Sequence, residues 1–184
     1  VPELPVIASG SLLEVHLSRS GMEFPVVRVE HCFMYPVTFK EYLAASGRSD
    51  MLEELNTIPI KEYAVPPVYR EYVKYVLLGG MPEIINARLN GAEAEDLGML
   101  YSSLLISFLD DVPKYASNRT MSEVLRHCIE TAPSEVGNRI TFAGFGGSSY
   151  RSREVGEAFR TLERAMLLYL LHPTGSTSLP IRLN

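Results

Sequence analysis

Few residues of this sequence have the type and spacing that catalysis or metal binding requires. Asp110 and Asp111 are adjacent near a predicted helix end, where their side chains point about 100° apart and cannot share a proton as a catalytic dyad. No serine or cysteine nucleophile stands beside an orienting base. The histidines are scattered without the spacing of metal ligands: His16, His31, His127 and His172. We therefore predict no metal site and no complete enzyme active site in this chain.

The stretch YVLLGGMPEII, residues 75–85, interrupts an apolar helical run with Gly79, Gly80 and Pro82. In a helix interior glycine costs about 1 kcal/mol relative to alanine, and proline costs about 3 kcal/mol. Something must require this break. It is either a plain helix–turn–helix corner or a backbone shaped to meet a ligand.

The glycine- and serine-rich stretch GFGGSSY, residues 144–150, does not replace a phosphate-binding loop. A phosphate cradle lies between a strand and a helix N-terminus, and a lysine reaches the outer phosphates. This stretch contains no lysine, and its nearest cations are Arg151 and Arg153. We expect a flexible loop before a capped helix.

The composition is that of a globular protein that does not coat nucleic acid. Of the 184 residues, 46% are hydrophobic and 21% are charged, and the net charge is −5. The apolar run 166–171 is far shorter than the roughly 20 residues that cross a membrane, and no signal segment opens the chain. Cys32 and Cys128 are too few for a disulfide framework. We predict a cytoplasmic protein with no membrane partner.

The first part of the chain predicts two short strands followed by helices. The strands are expected at residues 4–8 and 26–29. Thr38 and Glu41 have the spacing of a capping box at the start of a helix. A second helix begins near Val68 and breaks at the two glycines. A longer apolar stripe follows, and we expect Pro113 to end it.

The last part of the chain has the order of elements of a winged helix, a variant of the helix-turn-helix. Thr120 and Glu123 predict a capping box, and Pro133 stops the helix that follows. A strand at residues 139–142 precedes a helix capped by Ser152. Strands at residues 167–171 and 179–183 would complete the hairpin, or wing.

Five phrases in this order resemble a known family. They are VIASGSLLEV, FPVVRVEHCFMYPVTFKEYLAA, YVLLGGMPEII, DDVPKY, and SREVGEAFRTLERAMLLYLL followed by SLPI. Together they resemble the predicted AAA-type ATPases of bacteria and archaea that carry an uncharacterised C-terminal region. In that family a P-loop ATPase core precedes a helical lid and a winged-helix region, and a nuclease-like region follows. The family's usual "PVGR" is FPVVR here, with Val27 in place of glycine.

The resemblance implies that this chain is a middle section with a mixed α/β, mostly helical fold. Residues 1–46 would be the trailing edge of the ATPase core, with a sensor strand and an arginine strand. Residues 47–116 would be the helical lid, and residues 117–184 the winged helix. ATP and magnesium would be cofactors of the complete protein. The chain alone would bind no cofactor and have no activity, because the phosphate and magnesium ligands would lie upstream.

The resemblance also assigns candidate roles near the nucleotide. Ser11, or Ser9, would supply the sensor hydroxyl; alternatively, such a serine caps the segment that follows. Arg28 would reach a neighbouring subunit's phosphate in a homo-oligomer, or else form a surface ion pair with Glu30. Gly79, Gly80 and Pro82 would form the lid turn that approaches the adenosine. Many lids place an arginine next to this proline, whereas this chain has Glu83.

The helix after the glycine-rich loop occupies the position of a DNA-recognition helix. Residues 151–164 contain four arginines and three glutamates, a net charge of +1. Arg151, Arg153 and Arg160 are the candidate phosphate contacts, although the mixed charges also fit a solvated face with intrahelical ion pairs. Either DNA or a neighbouring domain is the expected partner. Two other classes stay open: a non-enzymatic DNA-binding regulator that dimerises through its helical part, and a protein-interaction scaffold.

Overall fold

The computed structural model describes residues 7, 9–10, 30 and 32–173, and these residues are mostly helical. No strand forms among them. Seven α-helices lie in this part of the chain: α1 (Phe39–Ala45), α2 (Ser49–Leu55), α3 (Val65–Leu78), α4 (Pro82–Leu89), α5 (Ala94–Tyr115), α6 (Arg119–Thr131) and α7 (Ser152–Arg164). None of the helices in the described ranges is both long and apolar enough to span a membrane.

The described residues form two compact units, and the division falls inside α5, between Leu104 and Leu105. The first unit contains α1 to α4 and the start of α5, and the second unit contains the rest of α5 with α6 and α7. The predicted division at residues 46/47 and 116/117 stays a prediction.

The first unit is built around α1, whose start is fixed by the predicted capping box. The Glu41 backbone N–H donates to the Thr38 hydroxyl at 3.3 Å, and the Thr38 backbone N–H donates to the Glu41 carboxylate at 2.7 Å. This prediction is confirmed. The helix buries Tyr42 and Leu43, which pack with Ile85 of α4.

The helix α3 has prolines at its first positions and begins three residues before the predicted start near Val68. Its C-cap is Gly79, where the break was predicted. Its buried side carries Val68 and Glu71. The Glu71 carboxylate is paired with Lys74 at 2.7 Å and with Arg48 at 3.6 Å. Its opposite face is apolar and exposed.

The second unit has a dry apolar core between α6 and α7. The inward residues predicted for α6 are buried: Met121, Val124, Leu125, Cys128 and Ile129. Those predicted for α7 within the helix are buried too: Val155, Phe159 and Leu162. Val112 and Tyr115 of α5 complete this core. The 3.6-residue apolar pattern therefore identified both the helices and the sides they bury.

Three helix ends differ from the prediction. The helix α7 begins at Ser152 itself, so its N-cap is Arg151 and not the predicted Ser152. The N-cap of α6 is Asn118, whose side-chain oxygen accepts from the Met121 backbone N–H at 2.9 Å, so the capping box at Thr120 is wrong. Asparagine is the stronger N-cap residue of the two. Pro113 lies inside α5 and does not end it. The helix continues to Tyr115 because Val112 and Tyr115 are held in the core, which offsets the lost backbone hydrogen bond.

The two predicted strands that the structure describes are wrong. Residues 139–142 and 167–171 form neither helix nor strand. Their apolar side chains still face the core, since Ile140, Phe142 and Leu170 pack against it. Apolar side chains can pack on the core from an irregular backbone, whereas a strand also needs a hydrogen-bonded neighbour. The strands predicted at residues 26–29 and 179–183 lie outside the described residues, as does most of residues 4–8.

Candidate functional site

The corner between α3 and α4 is shaped by contacts within the chain. Gly79 has φ 76° and ψ 175°, a backbone conformation that is essentially restricted to glycine. The Gly80 carbonyl accepts from the Val37 backbone N–H at 2.8 Å. A Cβ atom on Gly80 would lie 2.7 Å from both the Pro36 Cβ and the Val37 carbonyl oxygen. The tyrosine one turn earlier, Tyr75, donates its hydroxyl to the same Val37 carbonyl at 2.7 Å.

These contacts answer why the helical run is broken at this point. Gly80 is required because the Pro36 ring and the Val37 backbone fill the space that its side chain would occupy. The helix–turn–helix interpretation therefore accounts for Gly80 without a ligand. A Cβ atom added to Gly79 would have no described atom within 4 Å. Pro82 is exposed at the first position of α4. Adenosine contact stays a prediction for Gly79 and Pro82.

Sequence reasoning missed the partners that make this corner. Pro36, Val37 and Tyr75 are ordinary apolar or aromatic residues, and 38 positions separate Val37 from Tyr75. The sequence offers one local signal. Pro36 and Val37 lie before Thr38, the N-cap of α1, so the Val37 backbone takes part in no helix and can form hydrogen bonds elsewhere.

Of the other residues predicted to face the nucleotide, the structure describes only Ser9, which is exposed. Ser11 and Arg28 lie outside the described residues, so the sensor and subunit-bridging roles stay predictions.

The exposed face of α7 carries a row of arginines. Arg153, Arg160 and Arg164 fall at helical spacing on the side opposite the buried residues, and all three are exposed. Glu157 is the one acidic residue of this row. Arg151, immediately before the helix, is exposed as well.

The remaining glutamates of α7 bind backbone groups instead of these arginines. The Glu154 carboxylate accepts from the Arg151 backbone N–H at 2.9 Å, which caps the start of the helix. The Glu163 carboxylate accepts from the Leu170 backbone N–H at 3.1 Å. No ion pair joins Arg151, Arg153 or Arg160 to an acid among residues 32–173 and the other described positions. The predicted intrahelical ion pairs are therefore absent from this part of the chain.

The glycine-rich loop before α7 is anchored onto α6. His127 Nε2 lies 2.9 Å from the Phe145 carbonyl oxygen, and its ring meets Tyr150 edge-on at 5.5 Å. Gly146 has φ 59°, and a Cβ there would collide with Thr131 and lie 2.9 Å from His127 Nε2. These contacts anchor the loop on α6, immediately before Arg151 and the start of α7. The flexibility expected from the sequence stays a prediction.

The described residues contain no other arrangement with evident chemistry. No group of three metal-binding side chains occurs among them. Asp111 pairs with Lys114 at 2.5 Å, which agrees with the solvated role expected for the acidic pair. Burial raises the pKa of the Cys128 thiol to about 12, so this cysteine is not a nucleophile in the folded protein.

The profile of a family described as a domain of unknown function (DUF8612) matches residues 69–182, which is more than half of the chain. The chain belongs to this family. The matched region begins in α3 and includes the Gly79–Pro82 corner, α6 and α7. No curated protein and no solved structure matches the chain.

Proposed function

We propose that this chain is an internal segment of an AAA-type ATPase and that its α6–α7 helix pair binds the DNA backbone. The five ordered sequence phrases support the ATPase assignment. The observation that carries the DNA-binding assignment is the exposed arginine row of α7, which holds three arginines against one acid, Glu157, and whose arginines form no ion pair within the described residues. In the complete protein, ATP and magnesium would drive movement that the helical segment passes to this pair.

The arginine row suits phosphate better than base recognition. A guanidinium is always charged and donates several hydrogen bonds in a fixed plane, so it binds phosphate oxygens in pairs. Arg151 and Arg153 flank the N-terminus of α7, where free backbone N–H groups also favour anions. About three phosphate contacts predict weak, largely sequence-independent binding, with a slope of log affinity on log salt near −3.

Fluorescence anisotropy with labelled duplex DNA at several salt concentrations tests this proposal. The variant Arg153→Gln/Arg160→Gln should lose at least about tenfold in affinity, and its salt slope should be shallower by about two. A control with the same loss of charge is Arg70→Gln/Arg88→Gln, since both residues are exposed in the first unit. This control should keep both the affinity and the slope.

Two results would remove the DNA-binding assignment. One is the absence of binding at low salt, where phosphate contacts are strongest. The other is an equal loss in the α7 variant and in the control, because that would show a response to net charge rather than to this row.

The nucleotide assignment has its own test. A GxxxxGK[ST] element encoded just upstream of Val1 is expected, with ATP hydrolysis by the protein that contains it. A structure of that protein with a magnesium nucleotide should place the adenosine beside Gly79 and Pro82. Adenosine bound far from this corner would contradict the lid role while leaving the DNA-binding result unaffected.

A non-enzymatic DNA-binding regulator is the second candidate, because the same arginine row would serve it. The two candidates differ in their requirement for ATP. DNA binding with no phosphate loop upstream would support the regulator.

A further inference from the structure

One face of α3 in the first unit is apolar and open to solvent. Six side chains form this face, which we name the α3 stripe: Val65, Tyr69, Tyr72, Val73, Val76 and Leu77. Their spacing of three and four residues places them on one side of the helix over its 14 residues, a length of about 21 Å. Tyr69 is 64% exposed and Leu77 is 80% exposed, and Tyr72 joins the stripe to the core through its edge-on contact with Phe39.

The stripe is large for a surface that meets only water. At their exposures the six residues present on the order of 600 Å², the upper end of the range for the largest apolar patch on a monomer. A specific interface takes about 800 Å² from each partner. The stripe alone supplies about three quarters of that area, so its size suits the apolar centre of a protein interface.

The charges around the stripe argue against a charged partner. None of its six residues is charged, and the charged residues of α3 lie elsewhere on the helix. Glu71 and Lys74 pair with each other, and Glu71 also pairs with Arg48. Of the three charged residues of α3, only Arg70 has no ion pair among the described residues, and one cation is too little charge to hold nucleic acid.

We propose that the α3 stripe is the interface between two copies of this chain, packed antiparallel through α3. Four residues of the stripe match one another in that arrangement. A two-fold axis between Tyr72 and Val73 places Tyr69 opposite Val76 of the partner subunit, and Tyr72 opposite Val73 of the partner subunit. Each large aromatic ring then meets a small β-branched side chain, and symmetry makes every such contact twice. Val65 and Leu77 lie toward the two ends of α3, outside these pairs.

Sedimentation velocity over a micromolar concentration series tests this proposal. The wild-type protein should be a dimer, and Val76→Glu should raise the dimer dissociation constant by about 100-fold, because it places an unpaired charge opposite Tyr69 of the partner subunit. The matched control is Val136→Glu. Val136 is a valine of the second unit that is 81% exposed, against 55% for Val76. This control should leave the dimer unchanged.

A cross-linking experiment checks the geometry of the interface. In a Cys32→Ser background, which removes the exposed native thiol, Tyr72→Cys should form a dimer-sized disulfide product on mild oxidation. Tyr72 lies next to the proposed axis, so its two copies approach closely. Ile58→Cys, at a residue 94% exposed and away from the stripe, should not form this product.

The proposal would be overturned if the wild-type protein is monomeric at every concentration of the series. This is also the result expected if another part of the same chain covers the stripe. A dimer that Val76→Glu leaves intact would overturn it as well. Both variants replace an exposed side chain, so circular dichroism should show a native helix content in each.

Discussion

The two units of the molecule are stabilised in different ways. The second unit has a core of aliphatic side chains that are completely buried, among them Leu125, Val155 and Leu162. The first unit buries Tyr42 and Leu43 in a much smaller cluster, with partly exposed aromatic rings around it. Phe39 meets Tyr75 at 5.5 Å and Tyr72 edge-on at 5.3 Å.

In the first unit, specific polar contacts accompany this small core. The Tyr75 hydroxyl and the Gly80 carbonyl both bind the backbone of Val37. The buried Glu71 carboxylate joins Lys74 and Arg48. We infer that lost volume damages the second unit most, whereas the first unit is sensitive to small changes at particular atoms. This difference leads to three predictions of decreasing size.

The largest effect is expected in the second unit. Leu125→Ala should lower the free energy of unfolding by about 3 kcal/mol, because it removes a fully buried side chain and leaves a cavity. Chemical denaturation measures this loss. Val136→Ala, at an exposed residue of the same unit, should change the stability by less than about 0.5 kcal/mol.

The buried thiol of Cys128 reports the same change locally. Its pKa of about 12 and its burial make it unreactive toward disulfide reagents until the core opens. Leu125→Ala should therefore speed the labelling of Cys128, while the labelling of the exposed Cys32 stays the same. Equal labelling rates of Cys128 in Leu125→Ala and wild type would contradict the model of a tightly packed core.

An intermediate effect is expected at the corner of the first unit. Gly80→Ala should destabilise the protein by about 2 kcal/mol, because the new methyl group meets the Pro36 ring and the Val37 carbonyl, neither of which can move freely. The control is Gly98→Ala, within α5, where nothing lies within 4 Å of the added carbon. That change should stabilise by up to about 1 kcal/mol, since alanine is the better helix former.

Thermal unfolding shows whether each substitution lowers or raises the stability of the protein. If Gly80→Ala and Gly98→Ala had the same effect, the contact with Pro36 and Val37 would not be what requires glycine at the corner. The ligand interpretation of Gly80 would then need to be considered again.

The helices could be predicted from the sequence because their signals are local. Apolar periodicity identified α6 and α7 with their buried sides, and the Thr38–Glu41 spacing identified a capping box. The same periodicity also identified α3, but it could not show that Val73, Val76 and Leu77 remain exposed. A helical pattern reports that a face is apolar and does not report what covers it.

The remaining features depend on distant residues. The strand predicted at residues 139–142 has the right alternation, but Phe142 stacks on Phe159 of α7 and leaves the backbone without a strand partner. The requirement for Gly80 comes from Pro36 and Val37, more than 40 positions earlier in the chain. The arginine row of α7 was visible in the sequence, but only the structure shows Glu154 and Glu163 engaged elsewhere.

The smallest effect is expected at the cap of α1, where one hydroxyl contributes. Thr38→Ala should cost about 1 kcal/mol in unfolding free energy, because the Glu41 backbone N–H loses its acceptor. Thr57→Ala is the control, since this exposed hydroxyl donates to the Glu53 carbonyl and caps no helix start. It should change the stability by less than about 0.5 kcal/mol.

The cap also makes the stability of the protein depend on pH, and this dependence can be measured. The pKa of Glu41 is lowered from its ordinary 4.5, first by the Thr38 backbone N–H and then by the Thr38 hydroxyl, which both donate to the carboxylate. A lowered pKa in the folded state means that the carboxylate stabilises the protein above pH 4.5, and that this contribution is lost as the pH falls further.

Urea denaturation of wild type and Glu41→Gln should therefore show a stability difference at neutral pH that shrinks below pH 4.5. In Thr38→Ala the decline with acid should be smaller but still present, because the backbone N–H remains. A difference between wild type and Glu41→Gln that stays constant with pH would show that this carboxylate does not depend on the cap.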